Sequence, residues 1–71
     1  MFSKTLTNAG HTRSFQVHAR EADGWEVFVK EDTRIVRRIQ YSDWHRVERA
    51  LSAIRREVAA LEDHGWHGER G

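Results

Sequence analysis

The second half of this 71-residue chain carries one long amphipathic pattern. Six large apolar residues recur at alternating spacings of three and four, which places them on one stripe of an α-helix: Trp44, Val47, Leu51, Ile54, Val58 and Leu61. Ser42 is a favourable N-cap residue, and Gly65 is favourable just beyond the C-terminal end. The pattern predicts a helix over residues 43–64, about 30 Å long. A stripe of this kind must be covered by another element.

Three shorter runs before the helix alternate between apolar and polar residues, which is typical of half-buried β-strands. They begin at Phe15, Trp25 and Ile35, and the short polar segments 21–24 and 31–33 between them predict hairpins. We therefore predict an α+β fold, a three-stranded antiparallel β-meander followed by one long C-terminal α-helix packed on one sheet face in two layers. A coiled-coil seam has the same helical pattern, but the preceding sheet needs a cover and favours the two-layer arrangement.

The domain organisation follows from these elements. One small domain is predicted over residues 1–71, with the meander at 12–41, the capped helix at 42–64 and a flexible tail at 65–71. For residues 1–11 the sequence leaves two alternatives, a short edge strand that turns near Gly10 or a disordered terminus. The tail is loose unless Trp66 packs back against the sheet.

One face of the predicted sheet collects the residues that should meet the helix: Phe15, Val17, Trp25, Val27, Val29, Ile35 and Ile39. Arg37 interrupts this face between Ile35 and Ile39. Either the Arg37 side chain extends past the helix to water, which we favour, or a β-bulge shifts the register of the strand.

The opposite face has an apolar centre, formed by Phe28 on the middle strand and Val36 on its neighbour. Polar and basic residues surround it: Gln16, His18, Arg20, Glu26, Lys30, Arg34, Arg38 and Gln40. One interpretation is an ordinary solvated face with two tolerated apolar residues. A second is a face that stacks unpaired bases on Phe28 and holds phosphates with arginine and lysine. A third is a self-complementary patch that joins two copies.

The placement of charge supports a partner. The net charge is only +1, but residues 34–56 hold seven arginines against two acids, a local charge of +5, and the rest of the chain is at −4. Arginine suits planar recognition of phosphate and carboxylate groups. On the helix, Arg46, Arg49 and Arg56 are weaker candidates for phosphate contacts.

The sequence lacks the residue patterns of most enzymatic sites. There is no cysteine, which excludes disulfides, thiolate metal sites and cysteine chemistry, and there is no nucleophile elbow or phosphate-binding glycine loop. His45 and Glu48 meet only on the solvent side of one helix. His64 and His67 supply two of the three or four ligands that a metal site needs. We interpret the chain as a non-enzyme, with no cofactor and no metal.

No apolar run approaches the ~20 residues of a membrane span, and no signal sequence follows Met1. We therefore expect a cytoplasmic protein without a membrane partner.

The predicted architecture of residues 14–62 is three short strands followed by one long helix, which begins after the segment Tyr41-Ser42-Asp43-Trp44. This architecture is similar to that of the small DNA-binding domains of phage-type integrases and of several small bacterial domains. The resemblance is one of architecture and transfers no functional residue. From the residues themselves, the leading hypothesis is a small binding module that takes nucleic acid on the open sheet face. The alternative is a homodimerising protein-interaction or regulatory module that uses the same Phe28/Val36 face.

Overall fold

Five strands and one helix make up the fold, in a computed structural model that describes residues 2–21 and 23–68. The elements are β1 (Phe2–Asn8), β2 (His11–Ala19), β3 (Trp25–Glu31), β4 (Arg34–Tyr41), α1 (Trp44–Asp63) and β5 (His67–Gly68). The strands form one antiparallel sheet in the order β4-β3-β2-β1-β5. The α+β prediction of a meander followed by one long helix in two layers is confirmed, but the sheet is larger than the three strands predicted.

The first strand, β1, decides between the two alternatives for the N-terminal residues. It pairs with β2 along its whole length, from Phe2 opposite Val17 to Asn8 opposite His11. The φ angles of the two turn residues between the strands, Ala9 and Gly10, are +51° and +82°. Two left-handed residues give the backbone twist that a tight hairpin requires. A strand therefore forms here, and only the two-residue β5 lies outside it in the sheet.

The core lies between α1 and the three strands β1, β2 and β3. Its buried apolar side chains come from these strands and from the helix stripe: Leu6, Phe15, Val17, Val27, Val29, Val47, Ile54 and Val58. Burial of this set from water is the main force that holds the helix on the sheet. Strand β4 contributes no side chain to the buried set. Ile39 lies on the helix side as predicted, opposite Val27, but it is 39% exposed, and the predicted core position of Ile35 is wrong, since this residue is 46% exposed on the other face.

A β-bulge in β4 puts Ile35 and Arg37 on different faces of the sheet. Val29 lies opposite Arg37, whereas the next residue of β3, Lys30, lies opposite Ile35. Val36 is therefore the extra residue of the bulge, and Ile35 turns onto the face away from the helix. Arg37 stays on the helix side, and its guanidinium lies 3.3 Å from Glu57 Oε1. Both alternatives from the sequence are therefore present, since the register shifts before Arg37 and the Arg37 side chain extends to an exposed ion pair on the surface of α1.

Helix α1 begins one residue later than predicted because Asp43, not Ser42, is its N-cap. The Asp43 carboxylate accepts a hydrogen bond of 3.0 Å from the backbone N–H of His45. This bond satisfies one of the donors that a helix leaves unpaired at its start. No helix among the described residues is long and apolar enough to cross a bilayer.

The C-terminal end of α1 turns the chain back onto the sheet. Gly65 has a φ of +94°, and the backbone N–H of Trp66 donates to the Leu61 carbonyl at 3.0 Å. This is the capping geometry in which a left-handed glycine reverses the chain direction. Trp66 consequently packs against the core, and His67–Gly68 pair with β1. The predicted tail thus contains a strand, while its residues 69–71 lie outside the described part of the chain.

Candidate functional site

The sheet face turned away from α1 has two chemically different halves. Strands β1 and β2 supply uncharged hydrogen-bonding side chains, namely Ser3, Thr5, Thr7, Thr12, Ser14 and Gln16. Strands β3 and β4, with the end of β2, supply mainly aromatic and charged side chains, namely His18, Glu26, Phe28, Lys30 and Arg38, together with Ile35 and Gln40. We call this whole surface the open face.

A buried carboxylate organises the charged half of the open face. Glu26 is only 6% exposed. Its Oε2 accepts hydrogen bonds from Arg38 Nε at 2.9 Å and from Gln40 Nε2 at 3.1 Å, and its Oε1 lies 3.2 Å from His18 Nε2. The register produces this arrangement, because His18 and Gln40 are the direct neighbours of Glu26 on the two adjacent strands. We call these four residues the Glu26 cluster.

The hydrogen bonds keep the Glu26 carboxylate ionised. The bond from Arg38, followed by the bond from Gln40, lowers the pKa of Glu26 to about 2, although burial acts in the opposite direction. A carboxylate that accepts charge-assisted hydrogen bonds strongly favours its anionic form. At neutral pH, therefore, the negative charge of Glu26 is matched by the positive charge of Arg38.

Phe28 is the aromatic centre of the open face. The Cζ of Arg38 lies 5.1 Å from the centroid of the Phe28 ring, within the range of a cation–π contact. The ring of His18 meets the same phenyl ring edge-on, with centroids 5.0 Å apart and an interplanar angle of 78°. Arg38 is held by Glu26 at its Nε and by the ring of Phe28. The guanidinium and the ring therefore form an ordered pair, with 57% of the Arg38 side chain still exposed.

The structure brings four of the predicted binding residues together on the open face. Phe28, His18 and Arg38 are in contact, and Lys30 lies opposite Ile35 on the same face. Arg20 is exposed just beyond the end of β2.

Two other predicted residues of this face lie elsewhere. Val36 falls in the bulge and is not opposite Phe28, whose partner on β4 is Arg38. Arg34 is opposite Glu31, which points to the helix side of the sheet because its neighbour Lys30 points to the open face. The predicted Phe28/Val36 centre is therefore replaced by Phe28 with Arg38.

The helix arginines belong to a different surface. Arg46, Arg49 and Arg56 lie on α1, which covers the other side of the sheet. Arg49 and Arg56 share the exposed side of the helix with Glu48. Because the sheet separates them from the open face, they do not extend the surface around Phe28.

The sequence predicts Glu26 on the open face but not the three side chains that its carboxylate holds. The one sequence feature that points to these contacts is the single acidic residue within the strand-forming run Trp25-Glu26-Val27-Phe28-Val29. Its partners on β4 depend on the register, and the bulge sets that register. The sequence offers the packing of Trp66 against the sheet as an alternative but does not predict its contact with Arg13, whose Cζ lies 5.3 Å from the indole ring, since this contact depends on the chain reversal at Gly65.

The histidines near the C-terminal end of α1 are not part of a ligand cluster. His64 Nδ1 lies 2.7 Å from the carbonyl oxygen of Ala60, within its own helix. Within residues 2–21 and 23–68, no three metal-ligating side chains come together.

The fold and the open face together define a small two-layer α+β domain with one sheet face left uncovered by its own helix. No protein-family model, no curated protein and no solved structure matches this chain.

Proposed function

We propose that this protein is a small non-enzymatic binding module whose open face binds single-stranded nucleic acid. The observation that carries the proposal is the Phe28–Arg38 pair, an aromatic ring and an arginine guanidinium held next to each other on an uncovered sheet. Unpaired bases stack on aromatic rings and on guanidinium planes, and this contact tolerates any sequence.

The charge of the open face is compatible with a polyanion. Among its described strand residues Glu26 is the only acid, and its charge is matched by Arg38 at 2.9 Å. Lys30 then contributes an additional positive charge, with Arg20 close to the same surface. The serine and threonine hydroxyls of β1 and β2 supply neutral donors for phosphate and sugar oxygens. The bound nucleic acid is proposed to run from Phe28 across the hydroxyl groups of β1 and β2.

The test is a backbone-amide NMR titration with a mixed-sequence single-stranded oligonucleotide and with a duplex, at low and moderate salt. We expect shifts at His18, Phe28, Lys30 and Arg38, larger with the single strand. Added salt should weaken binding, since phosphate contacts release counterions. Absence of binding at low salt, or shifts confined to α1, would contradict the proposal.

Two variants separate stacking from general electrostatic attraction. Phe28→Leu keeps an apolar side chain but removes the π-face, so we expect affinity to fall roughly 5- to 150-fold for the loss of one stacked base. Arg49→Gln removes one positive charge from the opposite layer and serves as the control, with little change expected. Equal losses in the two variants would point to non-specific attraction instead.

The alternative proposal is homodimerisation through the same face. It is favoured by the exposure of Ile35, 46%, which lies on the same face as the half-buried Phe28. Face-to-face association of apolar patches does not release phosphate counterions, so it should be insensitive to moderate salt. A dimer that persists with rising salt and is loosened by Phe28→Ala would support this alternative.

A further inference from the structure

The exposed large apolar side chains of the described residues are confined to one short stretch of the chain. They are Ile35, Val36, Ile39 and Trp44, three on β4 and one at the start of α1. Strand β4 is also an edge strand, since β3 is its only neighbour among the described residues. An exposed edge strand with apolar side chains is a template for pairing with another strand, because its outward N–H and C=O groups have no partner.

The charges on β4 do not protect this edge. Charged side chains on an edge strand normally discourage pairing. However, Arg37 is paired with Glu57 at 3.3 Å and Arg38 with Glu26 at 2.9 Å. Two of the three arginines of β4 thus have an acidic partner within their own chain, which lowers the net charge of the edge, and only Arg34, at the beginning of the strand, lies outside these pairs. A nearly neutral edge suits a second copy better than an acidic partner.

We propose that β4 pairs antiparallel with β4 of a second copy, so that the two sheets become one continuous sheet. The two copies are related by a two-fold axis that lies midway between their Ile39 residues. This inference goes beyond the proposed function and does not require that the open face bind nucleic acid. It also differs from the face-to-face alternative, because the contact is the edge of the sheet.

The register follows from symmetry and charge. A two-fold axis perpendicular to the sheet keeps both helices on the same side. The axis must lie midway between the two copies of one residue, because directly opposite residues share a face. An axis at Arg37 or Arg38 opposes each arginine to itself, and an axis at Val36 opposes Arg34 to Arg38. Like charges directly opposite are destabilising.

With the axis at Ile39, the arginines of the two copies are separated. Arg38 then lies opposite Gln40 of the second copy, and Arg37 lies opposite Tyr41. Five residues of β4, 37–41, pair in this register, whereas an axis at Ile35 or Gln40 leaves only three residues to pair before an end of the strand is reached. The two Ile39 side chains meet at the centre, where each is now 39% exposed.

The chain has no cysteine, so single engineered cysteines report the register. In the proposed dimer the two Ile39→Cys residues are directly opposite, at a Cα separation of about 5 Å that a disulfide accepts. The two Val36→Cys residues are about 20 Å apart along the strands. Val36 is 46% exposed against 39% for Ile39, so this similarly accessible position is the matched control. Under mild oxidation without nucleic acid, we expect Ile39→Cys to cross-link rapidly and Val36→Cys to remain uncross-linked.

Sedimentation equilibrium of the unmodified protein gives an independent measurement. We expect a mass of about twice 8.4 kDa, and a monomer for Ile39→Lys with its NMR spectrum still that of a folded protein. A monomeric mass for the unmodified protein at millimolar concentration would overturn the inference. So would a dimer that cross-links through Val36→Cys and not through Ile39→Cys, because the two copies would then meet in another register or through another surface. Neither outcome depends on nucleic-acid binding, so failure of this inference is distinguishable from failure of the proposed function.

Discussion

Glu26 holds three side chains of the open face through one carboxylate, so the variant Glu26→Gln is the most direct perturbation of this surface. Glutamine has nearly the same size and keeps one acceptor oxygen, but it carries no charge. The hydrogen bonds from Arg38 and Gln40 then lose their anionic acceptor. We expect a lower free energy of unfolding at neutral pH, because the buried side chain at position 26 then offers fewer acceptors to the donors around it.

The pH dependence of this effect can be worked out from the pKa of Glu26. That pKa is about 2 in the folded protein against an ordinary value of 4.5. Between these values the unfolded chain binds more protons than the folded protein, so stability rises with pH. At about pH 3.2 unfolding should take up roughly 0.9 proton at this one group. The contribution of Glu26 is complete above about pH 5 and is lost as the pH falls toward 2.

Urea unfolding at several pH values between 2.5 and 7, followed by circular dichroism, measures this contribution. The curve of unfolding free energy against pH should be flatter for Glu26→Gln than for the unmodified protein on the acid side. Glu57→Gln is the matched control, since it removes the exposed partner of Arg37 and leaves the Glu26 cluster intact. Parallel curves for Glu26→Gln and the unmodified protein over this range would refute the proposed role of the carboxylate.

Three further predictions concern the fold. Gly24→Ala should destabilise the protein by about 2 kcal/mol or more in urea unfolding. The reason is that the φ of Gly24 is +83° and an added Cβ would lie 2.3 Å from the Tyr41 carbonyl oxygen. An unchanged free energy of unfolding would contradict this tight contact. Asp43→Ala should cost about 1 kcal/mol through loss of the N-cap, and Asp43→Asn should restore most of it. Trp66→Ala should cost about 1–2 kcal/mol, since its side chain is half-buried, and should accelerate amide exchange at the β1 residues that pair with β5; unchanged exchange would mean that β5 forms without Trp66.

The sequence predicted the helix well because its signals are local. The stripe of apolar residues and the glycine beyond the end are all visible within residues 44–65, and the observed helix is Trp44–Asp63. Strand β1 was left undecided because its seven residues contain only two large apolar side chains, Phe2 and Leu6. Its existence depends on long pairing with β2, which is a tertiary contact that no local pattern expresses.

The composition of the open face was more difficult to predict, because it depends on register. The sequence pattern suggested Val36 as the neighbour of Phe28, whereas the structure gives Arg38. A shift of one residue in a strand exchanges its two faces, so one unpaired residue changes the apparent chemistry of the whole surface. The candidate residues on β2 and β3 were placed correctly on the open face, and those on the first half of β4 were not.

The bulge resolves a conflict between the turn and the apolar pattern of β4. The two-residue turn 32–33 sets Glu31 opposite Arg34, and an uninterrupted ladder from there would place Arg38 opposite the buried Val27 and Ile39 opposite Glu26. The one extra residue of the bulge places Ile39 opposite Val27, on the helix side of the sheet.

The same extra residue brings Arg38 and Gln40 to Glu26 and keeps Arg37 on the side of Glu57. Both ion pairs of the edge strand therefore depend on it. The nearly neutral edge of β4 and the charge-balanced centre of the open face are two consequences of one inserted position, so a change in the bulge would alter the proposed self-pairing and the proposed nucleic-acid surface together.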